Sequence, residues 1–275
     1  MLIALVNQSA HVKPADAVLI AAAITAQMQQ EYATIWGKPS STMVAVPDIA
    51  HIPANARPMF LLDKNPDPGA LGDHEETASG VPVARIFVPD ILGAPGAGMV
   101  SGSQGFSVSS VVSHEALEMD GNPYIDLWAS GPDGYDHARE MCDAVESSGY
   151  QKHITVLGKT SSVLVSNFLT PRWFDCSPPS TAQFDYLGHL KAPFSIERNG
   201  YEIVKPTDNE SQRYGTVTGK AFHFGAELPQ WRLDFKKRSA GRGSRMAAGR
   251  PQIQMHCCNK ECCAKSSTAT SAVAQ

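Results

Sequence analysis

One short run, His114-Glu115-Ala116-Leu117-Glu118, contains side chains whose types and spacing could perform chemistry. His114 and Glu118 are four residues apart, about one helical turn, so on a helix both would project from the same face. Glu115 would be displaced around the helix from them. In the related His-Glu-x-x-His arrangement, two histidines hold zinc and the glutamate activates water. The spacing therefore predicts a zinc-type site with His114 and Glu118 as ligands and Glu115 as the base.

A third ligand is expected from an acidic segment further along the chain, at 136–143. Glu140 is the first choice. Asp143 is either the ligand itself or an outer partner that accepts the imidazole proton of His114, and the sequence does not order the two. A carboxylate in place of a second histidine is permissible for zinc, but it makes the ligand set more anionic. Such an ion would be a weaker Lewis acid, which argues against high activity.

The same residues have a plain structural interpretation, in which His114 is an ordinary helical histidine and the two glutamates form a solvated face. The bare pattern is short enough to arise by chance. Its surroundings favour a site, because a strand and a glycine-rich loop precede the expected helix and Asn122-Pro123 ends it. The other histidines are scattered, His74 among them, and each is interpreted as a surface or core residue.

The elements that must position the motif follow from the hydrophobic pattern. Short apolar runs bounded by proline, glycine or polar residues predict strands at 1–6, 43–46, 59–62, 81–88, 154–157, 162–165, 201–204 and 214–224. Apolar residues at helical spacing predict helices at 14–36, 106–119 and 136–146. The motif is therefore expected on the second of these helices, with strands on both sides of it along the chain.

Composition limits the classes of function. The chain has 275 residues, 43% hydrophobic and 18% charged, which suits a soluble protein with a sizeable core. With a net charge of −4, the chain lacks the positive field that nucleic-acid-binding proteins usually carry. Binding of nucleic acid is expected only through a local basic segment. No apolar stretch approaches the roughly 20 residues of a membrane span, and no signal peptide is recognised. A cytoplasmic or particle-associated protein without membrane partners is expected, and its oligomeric state stays open.

The chain divides by composition into a domain and a tail. Residues 1–235 are expected to form a metal-binding domain, with a core at 1–175 and an irregular extension at 176–235. Residues 236–275 are expected to be a disordered tail, basic at first and rich in cysteine later. The run from His256 to Cys263 has soft ligands but no usual zinc-finger spacing, so a reactive tail is favoured over a second metal site there.

The segment around the motif resembles zincin-type proteins that carry a His-Glu-x-x-Glu helix. It is similar in particular to EXORDIUM-like proteins of plants and their bacterial relatives. The likeness covers roughly 108–143. A proline and a tryptophan fall at matching distances from the histidine, and a Glu-x-x-Asp pair is offset by about one residue. The residues that carry the likeness are Ser113, His114, Glu115, Glu118, Pro123, Trp128, Glu140 and Asp143.

The resemblance implies a zincin-like α+β fold, with a mixed sheet and an active-site helix. It places His114, Glu118 and either Glu140 or Asp143 at the metal and Glu115 as the base. The leading hypothesis is a zinc-dependent hydrolase with one ion, acting on a peptide or protein.

Two alternatives belong to other classes. A non-catalytic protein with a zincin-like fold could use the ion for stability, for example as a component of a phage or surface assembly. A working role for the basic, cysteine-rich tail without any metal is the third hypothesis. A fold alone does not decide among them.

Overall fold

The computed structural model describes residues 1–66, 69–102, 106–205 and 211–214. The expected tail at 236–275 lies outside the described residues, as does the predicted strand at 214–224 beyond its first residue. The described part is a mixed α+β fold, as the sequence predicts. None of its helices has the length and apolar character that a membrane span requires.

Within the described residues, the secondary structure consists of short strands and four α-helices. The strands are β1 (Leu2–Asn7), β2 (Thr42–Val46), β3 (Arg57–Leu62), β4 (Gly72–Glu76), β5 (Pro82–Phe87), β6 (Trp128–Ser130), β7 (Asp136–Ala138), β8 (Gly149–Val156), β9 (Lys159–Ser166), β10 (Tyr201–Lys205) and β11 (Ser211–Tyr214). The α-helices are α1 (Pro14–Gln27), α2 (Ala33–Trp36), α3 (Val88–Gly93) and α4 (Val108–Gly121). Single 3-10 turns lie at Ile49–His51, Asp143–Val145 and Pro171–Phe174.

A five-stranded mixed sheet forms the centre of the fold. Its order is β2-β1-β3-β5-β4, and the strands are parallel except that β4 runs antiparallel to β5 at the edge. The helix α4 packs against β4, β5 and β9. The sequence does not predict β4, because Gly-Asp-His-Glu-Glu is made of residues that are depleted in strands. This missed strand lies directly beside the helix of interest.

The long N-terminal helix matches its prediction. It begins with Pro14 in its first turn, continues from α1 through a π-helical turn at Met28–Tyr32, and ends with α2. Gly37 follows at φ 59°, a left-handed conformation that suits glycine at a helix end. The hairpin predicted around Gly158 is also present, as β8 and β9.

The predicted helix at 136–146 is wrong. Its first residues form β7, which pairs with β6 and β10, and only Asp143–Val145 makes a single 3-10 turn. His137 is fully buried, and its Nδ1 lies 2.6 Å from Oε2 of Glu202 on β10. Pairing with a strand more than sixty residues away therefore outweighs the local helical pattern. The chain between Ala138 and Asp143 is consequently not helical.

Serine side chains fix the start of α4. The hydroxyl of Ser107 accepts a hydrogen bond from the backbone N–H of Ser110 at 3.1 Å, and the Ser107 N–H donates to the Ser110 hydroxyl at 2.9 Å. This reciprocal cap gives the backbone N–H groups of Ser107 and Ser110, at the helix N-terminus, hydrogen-bond acceptors. Ser109 donates to the carbonyl of Leu164 on β9 at 2.6 Å. The helix is thereby held in position on the hairpin.

A second, fully internal network fixes the middle of α4. Ser113 donates its hydroxyl proton to Oε1 of Gln27 at 2.6 Å and accepts from the N–H of Ser166 at 3.0 Å. Gln27 in turn donates to the Ser166 carbonyl at 2.8 Å. All three residues are buried. This triangle joins α1, α4 and β9 immediately beside His114.

Ser113→Ala is expected to lower the free energy of unfolding by about 1–3 kcal/mol. The substitution leaves the side-chain amide oxygen of Gln27 and the backbone N–H of Ser166 buried without their hydrogen bonds to Ser113. Ser40→Ala, at an exposed serine, is the matched control and should change it little. Urea unfolding with a chelator present measures both. Equal effects of the two substitutions would contradict the role given to the network.

Candidate metal centre

Buried imidazole and carboxylate groups meet where α4 faces β4 and the segment after β7. The side chains of these residues are only 3–13% exposed to solvent, and most of them are carboxylates. Burial of this kind is costly unless protons or cations compensate the charge. The residues of this cluster are His74 from β4, His114, Glu115 and Glu118 from α4, and Glu140 and Asp143 from the connecting segment.

The first half of the cluster surrounds His114. Its Nε2 lies 3.1 Å from Oδ1 of Asp143 and 3.2 Å from Oε1 of Glu118. Donor atoms around a tetrahedral zinc ion, with bonds near 2.0–2.1 Å, are separated by about 3.3 Å. The backbone N–H of Cys142 also donates to Oε1 of Glu118 at 3.1 Å, which fixes that carboxylate. The two distances from His114 are close to that separation, and donor atoms of His114, Glu118 and Cys142 all lie within 4.8 Å of one another.

The second half surrounds His74. Its Nδ1 lies 3.4 Å from Oε2 of Glu115 and 3.6 Å from Oε2 of Glu118. Its Nε2 lies 3.8 Å from Oε2 of Glu140, and within the described residues it has no hydrogen-bond partner although it is buried. The donor atoms of His74, Glu115 and Glu118 all lie within 4.8 Å of one another. This half could also hold an ion.

The structure distributes the residues expected from the sequence between the two halves. It brings His114, Glu118 and Asp143 together, and it places Glu140 on the other side, next to His74. On the expected helix, Glu140 and Asp143 would have been neighbours one turn apart. Because this segment is not helical, the two acids face different histidines, and both take part in the cluster.

Two members of the site are missed by sequence reasoning. His74 looks like a scattered histidine, and nothing local distinguishes it, since β4 itself is not predicted. Cys142 is buried with a free thiol, and its Sγ lies within 4.8 Å of donor atoms of His114 and Glu118. Its position in the sequence between Glu140 and Asp143, both expected near the metal, is the signal that could have indicated Cys142.

The electrostatics of the cluster favour protonated side chains. Burial lowers the pKa of His74, but the charges of Glu140, Glu115 and Glu118 outweigh it and raise the pKa to about 9. The pKa of His114 is likewise raised well above its usual value by Glu118 and Asp143, against burial. Burial and the charge of Asp143 raise the pKa of Glu118. Protons on these groups therefore compensate part of the buried negative charge.

Gly72 allows β4 to approach α4 closely. A Cβ atom at this position would lie 2.9 Å from Oε1 of Glu115 and 3.0 Å from Cγ1 of Val111. Both distances are well below ordinary van der Waals contact. The absence of a side chain at Gly72 thus brings His74, two residues further along the strand, to the carboxylates.

Comparison with models of protein families, with curated proteins and with solved structures found no match to this chain. The resemblance to zincin-type proteins therefore stays a prediction. Any function proposed for the chain rests on the residues and geometry of the centre itself.

Zinc affinity is expected to rise with pH. Ligation needs neutral imidazole and ionised carboxylate. At neutral pH the raised pKa values keep both histidines charged and Glu118 partly protonated, so an ion must displace protons. Each displaced proton should raise the affinity about tenfold per pH unit until the pH exceeds the pKa. Competition with a chelator from about pH 7 to about pH 9 measures this, and a flat profile would contradict the protonated cluster.

Gly72→Ala should lower the free energy of unfolding by about 1–3 kcal/mol, because the new methyl group pushes β4 away from Glu115 and Val111. Gly93→Ala is the control, since a Cβ there meets nothing within 4 Å. Denaturant unfolding of both variants compares them. A Gly72→Ala protein as stable as Gly93→Ala would show that the strand and helix are not in close contact.

Proposed function

We propose that this chain is a zinc-dependent hydrolase, of the peptidase type and with a zincin-like architecture. One observation carries the proposal: Nε2 of His114 lies 3.1 and 3.2 Å from carboxylate oxygens of Asp143 and Glu118, with Glu115 adjacent on the same helix. Imidazole and carboxylate donors suit zinc, manganese and iron. The donor types and separations therefore fit such an ion.

His114, Glu118 and Asp143 would hold the ion. When bound, zinc supplies a Lewis acid that polarises a carbonyl group and makes water a better nucleophile at neutral pH. Two carboxylates and one imidazole give a more anionic set than two imidazoles and one carboxylate. A slower hydrolase is therefore expected than one with a second histidine on the helix.

Glu115 is the proposed proton acceptor. Its side chain is 7% exposed, and its Oε2 faces Nδ1 of His74 at 3.4 Å. A carboxylate is one of the side chains that serve as a general base. Glu115 would take the proton of the attacking water and pass it to the leaving amine.

The proposed zincin-like architecture is supported by two features of the fold. The central sheet is mixed, with β4 antiparallel at one edge. The helix α4, which carries the motif, packs against this edge strand and against β5. The substrate proposed is a peptide or protein, and His114, at 13% side-chain exposure, marks the side from which it would approach.

A non-catalytic metal-stabilised protein is the second candidate. Burial favours it, because the side chains of Glu115 and Glu118 are only 7% and 4% exposed. In that case the ion would compensate buried carboxylates and join β4, α4 and the segment of Asp143. Such a centre needs no base, which makes Glu115 the residue that separates the two functions.

Glu115→Gln is expected to reduce hydrolysis of an unstructured protein substrate by about a hundred- to ten-thousand-fold, the usual contribution of a general base. The ion at His114, Glu118 and Asp143 should be retained, because Glu115 is not part of that set. Peptide release measured by mass spectrometry, together with zinc content, tests both statements.

Glu76→Gln, a partly exposed glutamate at the end of β4, is the matched control and should keep full activity. Wild-type protein that carries zinc and cleaves no substrate in the same screen would favour the non-catalytic candidate. Equal rates for wild type and Glu115→Gln would remove Glu115 from the mechanism.

A further inference from the structure

The two carboxylate oxygens of Glu118 face two different histidines. Oε1 lies 3.2 Å from Nε2 of His114, and Oε2 lies 3.6 Å from Nδ1 of His74. The donor atoms accordingly fall into two groups that share Glu118, one with His114 and Cys142 and the other with His74 and Glu115. A carboxylate placed between two such groups has the geometry of a bridging ligand.

We propose that the centre binds a second divalent cation, held by His74, Glu115 and Glu118, with Glu118 bridging the two ions. His74 lies on β4, outside the His-Glu-x-x-Glu helix. Its Nδ1 faces both glutamates, and Glu140 is 3.8 Å from Nε2, on the far side of the ring. Metal-bound histidines commonly direct their other nitrogen toward a carboxylate, and Glu140 lies on that side of the ring.

A simple ion pair explains the His74 side less well. Charge-assisted hydrogen bonds between nitrogen and a carboxylate are about 2.7–2.9 Å long. Such a buried pair exists in this chain, since Nδ1 of His137 lies 2.6 Å from Oε2 of Glu202. The distances from Nδ1 of His74 to the carboxylate oxygens of Glu115 and Glu118 are 3.4 and 3.6 Å. They are too long for good hydrogen bonds and close to the separation of about 3.3 Å between ligands of one zinc ion.

Charge balance also favours two ions. Four buried acidic side chains belong to the cluster, namely Glu115, Glu118, Glu140 and Asp143. When both histidines are neutral ligands, one divalent ion offsets two carboxylates and leaves two uncompensated. A second divalent ion brings the buried group to neutrality. With a single ion, the two remaining carboxylates would have to keep protons, because buried charge without compensation is costly.

The second position has a consequence for regulation that rests on the proposed hydrolytic function. It uses the carboxylate of Glu115, which is also the proposed proton acceptor. An ion bound there would occupy the lone pairs that accept the proton, so excess metal would slow hydrolysis. The binding of the second ion itself does not depend on any activity.

The test is zinc stoichiometry, by mass spectrometry of metal content and titration calorimetry on the full chain. Wild type should bind two ions per chain, and both His74→Ala and His114→Ala should bind one. His51→Ala, at an exposed histidine paired with Asp48, is the control and should bind two. With Mn²⁺ as the probe, the electron paramagnetic resonance spectrum of wild type should show a coupled pair, and that of His74→Ala isolated ions.

Each outcome decides between the two proposals. One ion in wild type, or two ions in His74→Ala, would overturn the second position and leave the hydrolase proposal standing. Two bound ions without hydrolysis would do the reverse, and no bound metal would overturn both. If His74→Ala fails to fold, His74→Gln retains the size and polarity of the side chain and replaces it in the same measurement, where one ion is again expected.

Discussion

The burial of four carboxylates against two imidazoles is the constraint on which the centre depends. Glu115, Glu118, Glu140 and Asp143 are all nearly withdrawn from water, in contact with His74 and His114. Withdrawing a charge from water costs several kcal/mol even after relaxation. The raised pKa values of the histidines and of Glu118 show one form of compensation, by protons. Divalent cations are the other form, and the donor separations suit them.

The surrounding fold keeps these groups together against their mutual repulsion. Serine and glutamine side chains join α4 to α1 and β9, so the helix cannot rotate to expose its acids without leaving buried polar groups unpaired. The segment with Glu140 and Asp143 is held by β7 pairing on one side and by the Cys142 N–H on Glu118 at the other. Gly72 lets the edge strand come close enough for His74 to enter. These contacts therefore hold the elements that carry the charged cluster in fixed positions.

The same burial sets the balance between the two candidate functions. A hydrolase needs a base and access for its substrate, and Glu115 offers the first while the partly exposed His114 marks the second. A structural centre needs neither, and deeply buried ligands suit it well. Glu115 is thus the residue on which the functions differ, since it lies in one donor group with His74 and next to the other.

Much of the local structure follows from the sequence alone. The helices at 14–36 and 106–119 are found close to their predicted bounds, and the hairpin at Gly158 is present with longer strands than predicted. Periodicity and turn residues are local properties, which is why the sequence reveals these elements. For the same reason, the placement of His114, Glu115 and Glu118 on one helix needs no tertiary information.

Tertiary structure decided the rest of the centre. The segment at 136–146 has a helical pattern, yet β7 pairs with a strand beyond position 200, and this turns Glu140 and Asp143 toward different histidines. His74 lies on a polar edge strand that has no hydrophobic alternation to reveal it. Helical spacing depends on neighbouring residues, whereas the partners of an edge strand and of a buried carboxylate are set by contacts between distant parts of the chain. The sequence therefore determined a helix that carries His114, Glu115 and Glu118, and only the packing of β4 and the β7 segment against it determined a cluster with two histidines.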